Sequence, residues 1–170
     1  MKRGDAILVG CGAVALALPF LDKAYVIDDP LMLRISESLL RDPLDPFAGI
    51  FDWASLVLPL RDVATNPPLI SYYLAPFAAL SDYSEVVLHA AMLPFLALFA
   101  LSVLSLATRF TSSPRLATLF AVTSPGILVS INVMQDVPNA ALTAAAVAAF
   151  VAGTDRRSHR LLWLGSLLAG

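Results

Sequence analysis

The sequence predicts an all-α fold: a polytopic transmembrane helical bundle with about four full spans, a truncated fifth, and a long external loop bearing two short interfacial helices. Three observations predict it. Of 170 residues, 58% are hydrophobic and 14% charged, whereas soluble domains run at about 45–50% and about 25%. The apolar excess is gathered into runs, and a helix needs roughly 20 apolar residues to cross a bilayer core. Lysine and arginine concentrate in the short segments between those runs. A net charge of −2 gives no basic field for nucleic acid. The single cysteine, Cys11, cannot form an internal disulfide and reads as a small packing residue. Two histidines far apart in the chain, His89 and His159, make no zinc pattern.

The first span covers residues 6–21, behind Lys2 and Arg3. A basic start and a short apolar stretch also suit a signal peptide, but the further spans favour an uncleaved helix. Residues 22–84 form the polar, proline-rich external loop. Asp29-Pro30 is a helix start, an N-cap acceptor followed by proline at the first helical position. Leu31, Ile35 and Leu39 recur every four residues, with Arg34, Glu37, Ser38 and Arg41 between them. That spacing predicts an amphipathic helix on the membrane surface. Asp42-Pro43 and Asp45-Pro46 stop it, because a residue before proline avoids the helical region. Asn66-Pro67 starts a second helix over residues 69–80, kinked at Pro76 and placed at the interface. Asp82 with Glu85 resembles a capping box. It opens the second span, 86–107. A third span covers 116–131 with Pro125-Gly126 in its middle, and a fourth, alanine-rich, covers 139–152. Small residues let helices approach closely. Residues 161–170 begin a fifth span too short to cross, so the chain reads as a fragment of something longer.

Charge sets the orientation. Alternating the spans puts Lys2, Arg3, Arg109, Arg115, Arg156, Arg157 and Arg160 on one side, seven of eleven basic residues, all in short segments. Such segments stay in the cytoplasm. The N-terminus is therefore expected inside, the long loop and the turn 132–138 outside, in the plasma (inner) membrane.

Asp28 and Asp29 stand about seven residues beyond the first span, near the outer boundary. One of them can cap a helix. The other, Asp28, is a candidate general base, since a base must be positioned and partly desolvated. Asp136 lies in the second external turn, where it can cap the fourth span. His89, near the outer end of the second span, is read as a hydrogen-bonded packing residue, with function as the alternative. Trp53, Tyr72, Tyr73 and Tyr83 are read as interface anchors rather than a sugar-stacking platform.

The order of features is one span, the acidic pair in Tyr25-Val-Ile-Asp28-Asp29-Pro30, an amphipathic helix, Asn66-Pro67-Pro68-Leu69, then Tyr72-Tyr73-Leu74 before the second span. This order resembles the N-terminal part of the GT-C membrane glycosyltransferases, in particular the protein mannosyltransferase and aminoarabinose-transferase-like group. The resemblance covers essentially the whole chain, by pattern rather than identity. Family members commonly have His-Pro-Pro where this chain has Asn66-Pro67-Pro68, so no acid–base work falls on Asn66. The resemblance implies a glycosyltransferase that moves a hexosyl or pentosyl group from a polyprenyl-phosphate-linked donor. The acceptor hydroxyl, on a glycan, lipid or protein, would lie on the extracytoplasmic face. Asp28 and then Asp29 are the implied catalytic residues; Arg34, Arg61, Asn66 and Asp136 are the substrate-binding candidates. The two arginines would stabilise a leaving phosphate, or else snorkel or pair with carboxylates. Asp28, Asp29 and Asp136 together could hold a divalent metal, but this branch generally works without one, so neither metal nor other cofactor is expected. On its own, the 170-residue chain is expected to be inactive. A transporter fragment is the alternative, although Pro125-Gly126, a candidate helix break, has no charge beside it. A non-catalytic membrane assembly protein is another.

Overall fold

The computed structural model describes residues 3–26 and 28–169. Lys2 and Gly170, which the sequence assigned to the basic N-terminus and the fifth span, lie outside the described residues, as does Ile27 of the acidic motif. The described chain is mostly helical, and three of its helices are long and apolar enough to cross a membrane: Arg3–Phe20, Glu85–Phe110 and Asp136–Arg156. The chain forms two compact units, one of Met1–Pro19, Met92–Ile131 and Asp136–Gly170, the other of Phe20–Ala91 and Asn132–Gln135.

In the first unit, α1 (Arg3–Ala17) runs into a 3-10 turn, Leu18–Phe20. The helix α5 (Glu85–Phe110) buries Met92, Leu96, Ala100 and Leu104, one residue per turn on a single stripe. Over the expected third span the chain makes two shorter helices, α6 (Pro114–Val122) and α7 (Pro125–Leu128). The cause is Ser124, held extended at ψ 144 by the proline that follows. Around the break, the Thr123 and Ser124 hydroxyls donate to the carbonyls of Leu119 and Ala121, each at 2.8 Å. Such side chains satisfy backbone groups that a broken helix leaves open.

The helix over the expected fourth span is longer than 139–152: α8 covers Asp136–Arg156. The charged residues at its ends do not interrupt the helix, because Asp136 suits the positive N-terminus and Arg156 the negative C-terminus. Then α9 (His159–Ala169) folds back along α8. Gly165 makes that approach feasible, since a Cβ there would come within 2.7 Å of the Phe150 ring and 3.0 Å of the Ala146 carbonyl. Ion pairs join Arg115 to Asp5 and Arg109 to Asp155.

The second unit holds α2 (Asp29–Arg41), the antiparallel hairpin β1 (Ile50–Trp53) and β2 (Leu56–Pro59), the single turn α3 (Leu60–Val63), and α4 (Leu69–Ser81). The hairpin and α3 fall where the sequence predicts loop. Ala54 and Ser55 form its two-residue turn with φ 53 and 69. The usual Asn-Gly signal for that turn is missing, so nothing in the pattern marks it. The apolar face of α2 is not left for a membrane surface. Leu31, Ile35 and Leu39 are buried, and α2 packs on α4. The two helices meet through serines: the Ser36 hydroxyl donates to the Met32 and Ser71 carbonyls, and the Ser71 hydroxyl donates to the Met32 carbonyl. Two expected caps also differ. Asp82 ends α4 in the left-handed conformation, φ 50, rather than boxing the start of α5. Asp28, not Asp29, occupies the N-cap position of α2.

Candidate functional site

The second unit carries the acidic pair. The carbonyl of Asp28 accepts the N–H of Leu31 and of Met32, which opens α2. The Asp28 side chain makes no cap hydrogen bond. Its Oδ1 is shielded from solvent yet has no hydrogen-bond partner among the described residues. Asp29 is fully buried. Both of its oxygens are engaged: Val26 N–H donates to Oδ2 and Val133 N–H to Oδ1, each at 3.0 Å. Burial raises the Asp29 pKa above 3.8; the Val26 N–H, His89, the Val133 N–H and Lys23 pull it back in part. Asp29 therefore pins the turn 132–135 to the segment before α2.

The surroundings reinforce that pin. Lys23 Nζ donates to Asn132 Oδ1. Burial lowers the Lys23 pKa, opposed by Asp29. The Tyr25 hydroxyl donates to the Tyr83 carbonyl at 2.7 Å. Its pKa is pushed up to about 12 by burial first, then by the negative charges of Glu85 and Asp29. His89 is buried, with Nδ1 3.1 Å from the Leu21 carbonyl oxygen and Nε2 without a partner among the described residues. Tyr73 donates to the Ala91 carbonyl at 2.8 Å and Tyr72 to the Pro43 carbonyl at 2.6 Å, so both hydroxyls hold the fold.

Asp28 lines a cavity of about 380 Å³. Its other lining residues are the polar Asp62, Thr65 and Asn66 and the apolar Leu31, Trp53, Leu58 and Val63. Each element places its share. The N-cap of α2 brings Asp28; the hairpin brings Trp53 and Leu58 to one face, where residues 51, 53, 56 and 58 point together. The α3 turn and the segment before Pro67 bring Asp62, Thr65 and Asn66.

Of the residues singled out from sequence, the cavity thus unites Asp28 and Asn66. Arg34 lines a different hollow, of about 490 Å³, with Tyr25, Phe51 and Tyr83. It pairs with Glu37, and its Nε donates to the Ile50 carbonyl at 3.3 Å. Arg61 is exposed and lies 3.8 Å from Asp45. Asp136 opens α8 in the first unit. No three metal-ligating side chains come together among the described residues.

Sequence reasoning missed Asp62 and Thr65, and assigned Trp53 to the lipid interface. The available signal was the polar run Asp62 to Asn66 just before Pro67-Pro68, which has no helical period to explain it. The engagement of Val133 with Asp29 had no signal, because it joins residues 104 apart through a backbone N–H. No family model matches this chain, and neither does any curated protein or solved structure.

Proposed function

We propose that this chain is a membrane glycosyltransferase, or the N-terminal part of one, of the GT-C type. It would transfer a hexosyl or pentosyl group from a polyprenyl-phosphate donor at the extracytoplasmic face of the plasma membrane. The observation that carries the reading is Asp28, whose side chain makes no cap hydrogen bond, whose Oδ1 has no hydrogen-bond partner among the described residues, and which lines a cavity with Trp53, Asp62 and Asn66. A buried acceptor left unpaired costs about 1–3 kcal/mol, more when charged. An unpaired group of that kind calls for an explanation, and a turn of the carboxylate toward the cavity would let the acceptor hydroxyl of a substrate supply the missing donor.

In the reaction, Asp28 takes the proton of the acceptor hydroxyl. The acceptor oxygen bonds to the anomeric carbon as the bond from that carbon to the phosphate oxygen breaks. The electron pair leaves with the polyprenyl phosphate. Asp29 acts as a positioning residue, holding the segment that aims Asp28. Arg34 and Arg61 would have to exchange their present carboxylate partners to meet a leaving phosphate.

The proposed topology has the N-terminus in the cytoplasm and four crossings, α6 and α7 together making a broken third, with α9 starting a fifth. Two sets of contacts support it. Asn132 and Val133 bind Lys23 and Asp29, so the turn after α7 returns to the loop that follows α1. Asp5 pairs with Arg115, and Arg109 with Asp155, which joins the first turn of α1 to the start of α6 and the end of α5 to the end of α8, with only residues 111–113 between α5 and α6.

In full-length protein in membranes supplied with lipid-phosphate sugars, Asp28→Asn should lower transfer at least about a hundredfold, the usual scale of a lost general base. Membrane insertion should be intact. Near-normal transfer would exclude the base assignment and leave the transporter or assembly-protein reading.

A further inference from the structure

The Asp28 cavity is lined by residues bearing carboxylates, an amide and a hydroxyl together with an indole and aliphatic side chains, and no Lys, Arg or His is among the described residues that line it. We propose that this cavity binds an uncharged pyranose ring, stacked on the Trp53 indole, with its hydroxyls bonded to Asp28, Asp62 and Asn66. The proposal rests on the transferase reading and names the kind of substrate group that the site holds.

The lining decides among ligand classes. Two carboxylates with no cation beside them repel phosphate and carboxylate groups. Arg34 pairs with Glu37 and Arg61 with Asp45. A bare metal ion would use Asp28 and Asp62 but would gain nothing from Trp53, Leu31, Leu58 and Val63, since hard cations take oxygen ligands. A wholly apolar ligand would leave the polar lining residues Asp28, Asp62 and Asn66 without partners. A pyranose satisfies both kinds of lining residue. Its C–H face is apolar and lies flat on an aromatic ring, while its hydroxyls donate to carboxylates, the stronger class of hydrogen bond. The volume of about 380 Å³ falls within the roughly 300–1,000 Å³ of small-ligand sites. Trp53 is 40% exposed and so is open to a ligand, and its ring stands 6.2 Å from that of Phe51 on the same face of the hairpin. The absence of a lining cation places the phosphate of any donor outside this cavity.

The test is binding of methyl hexopyranosides to the whole chain in detergent or nanodiscs. Trp163→Phe makes Trp53 the sole indole, and its fluorescence should respond saturably to a methyl hexoside. Sugar 1-phosphates should bind about tenfold more weakly or worse. By saturation-transfer NMR, Trp53→Leu should lose binding, Trp53→Phe should retain most of it, and Asp62→Asn should weaken it about tenfold. Circular dichroism of each variant should match that of the parent. The proposal is overturned if no neutral glycoside binds saturably, if Trp53→Leu binds like the parent, if 1-phosphates bind equally well, or if Ca²⁺ or Mg²⁺ alone produces the Trp53 response. Its failure is separable from that of the transferase reading. Loss of transfer in Asp28→Asn without any glycoside binding would sink this proposal alone, and glycoside binding with Asp28 dispensable for transfer would sink the base assignment alone.

Discussion

Adjacent carboxylates at positions 28 and 29 meet different surroundings. Asp28 lines a cavity and has one oxygen without a partner among the described residues, while Asp29 is fully buried between two backbone donors. The sequence identified the pair but exchanged part of their duties, because Asp-Asp-Pro is compatible with a cap at either position. Only the arrival of the Val133 N–H decides which carboxylate is enclosed. The enclosed one has a testable pH signature. The folded pKa of Asp29 lies above 3.8, so the folded protein holds this proton more tightly than the unfolded chain does. That stabilisation is fully present below pH 3.8 and is lost as pH rises through the folded value. Asp29→Asn should therefore flatten the pH dependence of thermal unfolding over that window. It should also lower stability by about 1–3 kcal/mol, because the amide nitrogen cannot accept from a backbone N–H. An unchanged pH slope in the variant would show that Asp29 is not the group responsible.

At the scale of elements, the helices follow from their own residues, but the hairpin does not. The four-residue recurrence of Leu31, Ile35 and Leu39 marks α2, and the long apolar runs mark α5 and α8. The period leaves the partner of the apolar face unspecified, and α4 rather than lipid covers α2. The strands β1 and β2 are joined by Ala54 and Ser55, both at positive φ, a conformation that costs an L-residue roughly 1–2 kcal/mol. The pairing of Trp53 with Leu56 and Phe51 with Leu58 must outweigh it. Replacing Ala54-Ser55 by Asn-Gly should relieve that strain and stabilise the second unit by about 1 kcal/mol. The check is the midpoint of the Trp53 fluorescence transition in a Trp163→Phe background. A midpoint unchanged or lowered would mean that the turn is not under strain.

At the scale of the molecule, the number of crossings separates two topologies. Three spans, α1, α5 and α8, with the N-terminus inside, would put Arg157 outside. A fourth crossing through α6 and α7 puts it inside. A reporter fused after Arg157 should read cytoplasmic and one at Gly49 external; an external reading at both positions would reduce the crossings to three. The apolar runs, the clustering of arginines in short segments, and the proline that breaks the third run are local properties. They were legible because burial in lipid and helix periodicity act residue by residue along the chain. The Asp28 cavity was not legible, since its walls come from a helix cap, a hairpin without a turn signature and a one-turn helix. The sequence by itself determined the helical, membrane-directed character of this protein and the candidate carboxylates. The tertiary structure decided which carboxylate is enclosed, that Trp53 and Asp62 join Asp28, and that Arg34 and Arg61 stand apart, because these depend on contacts between segments far apart in the chain.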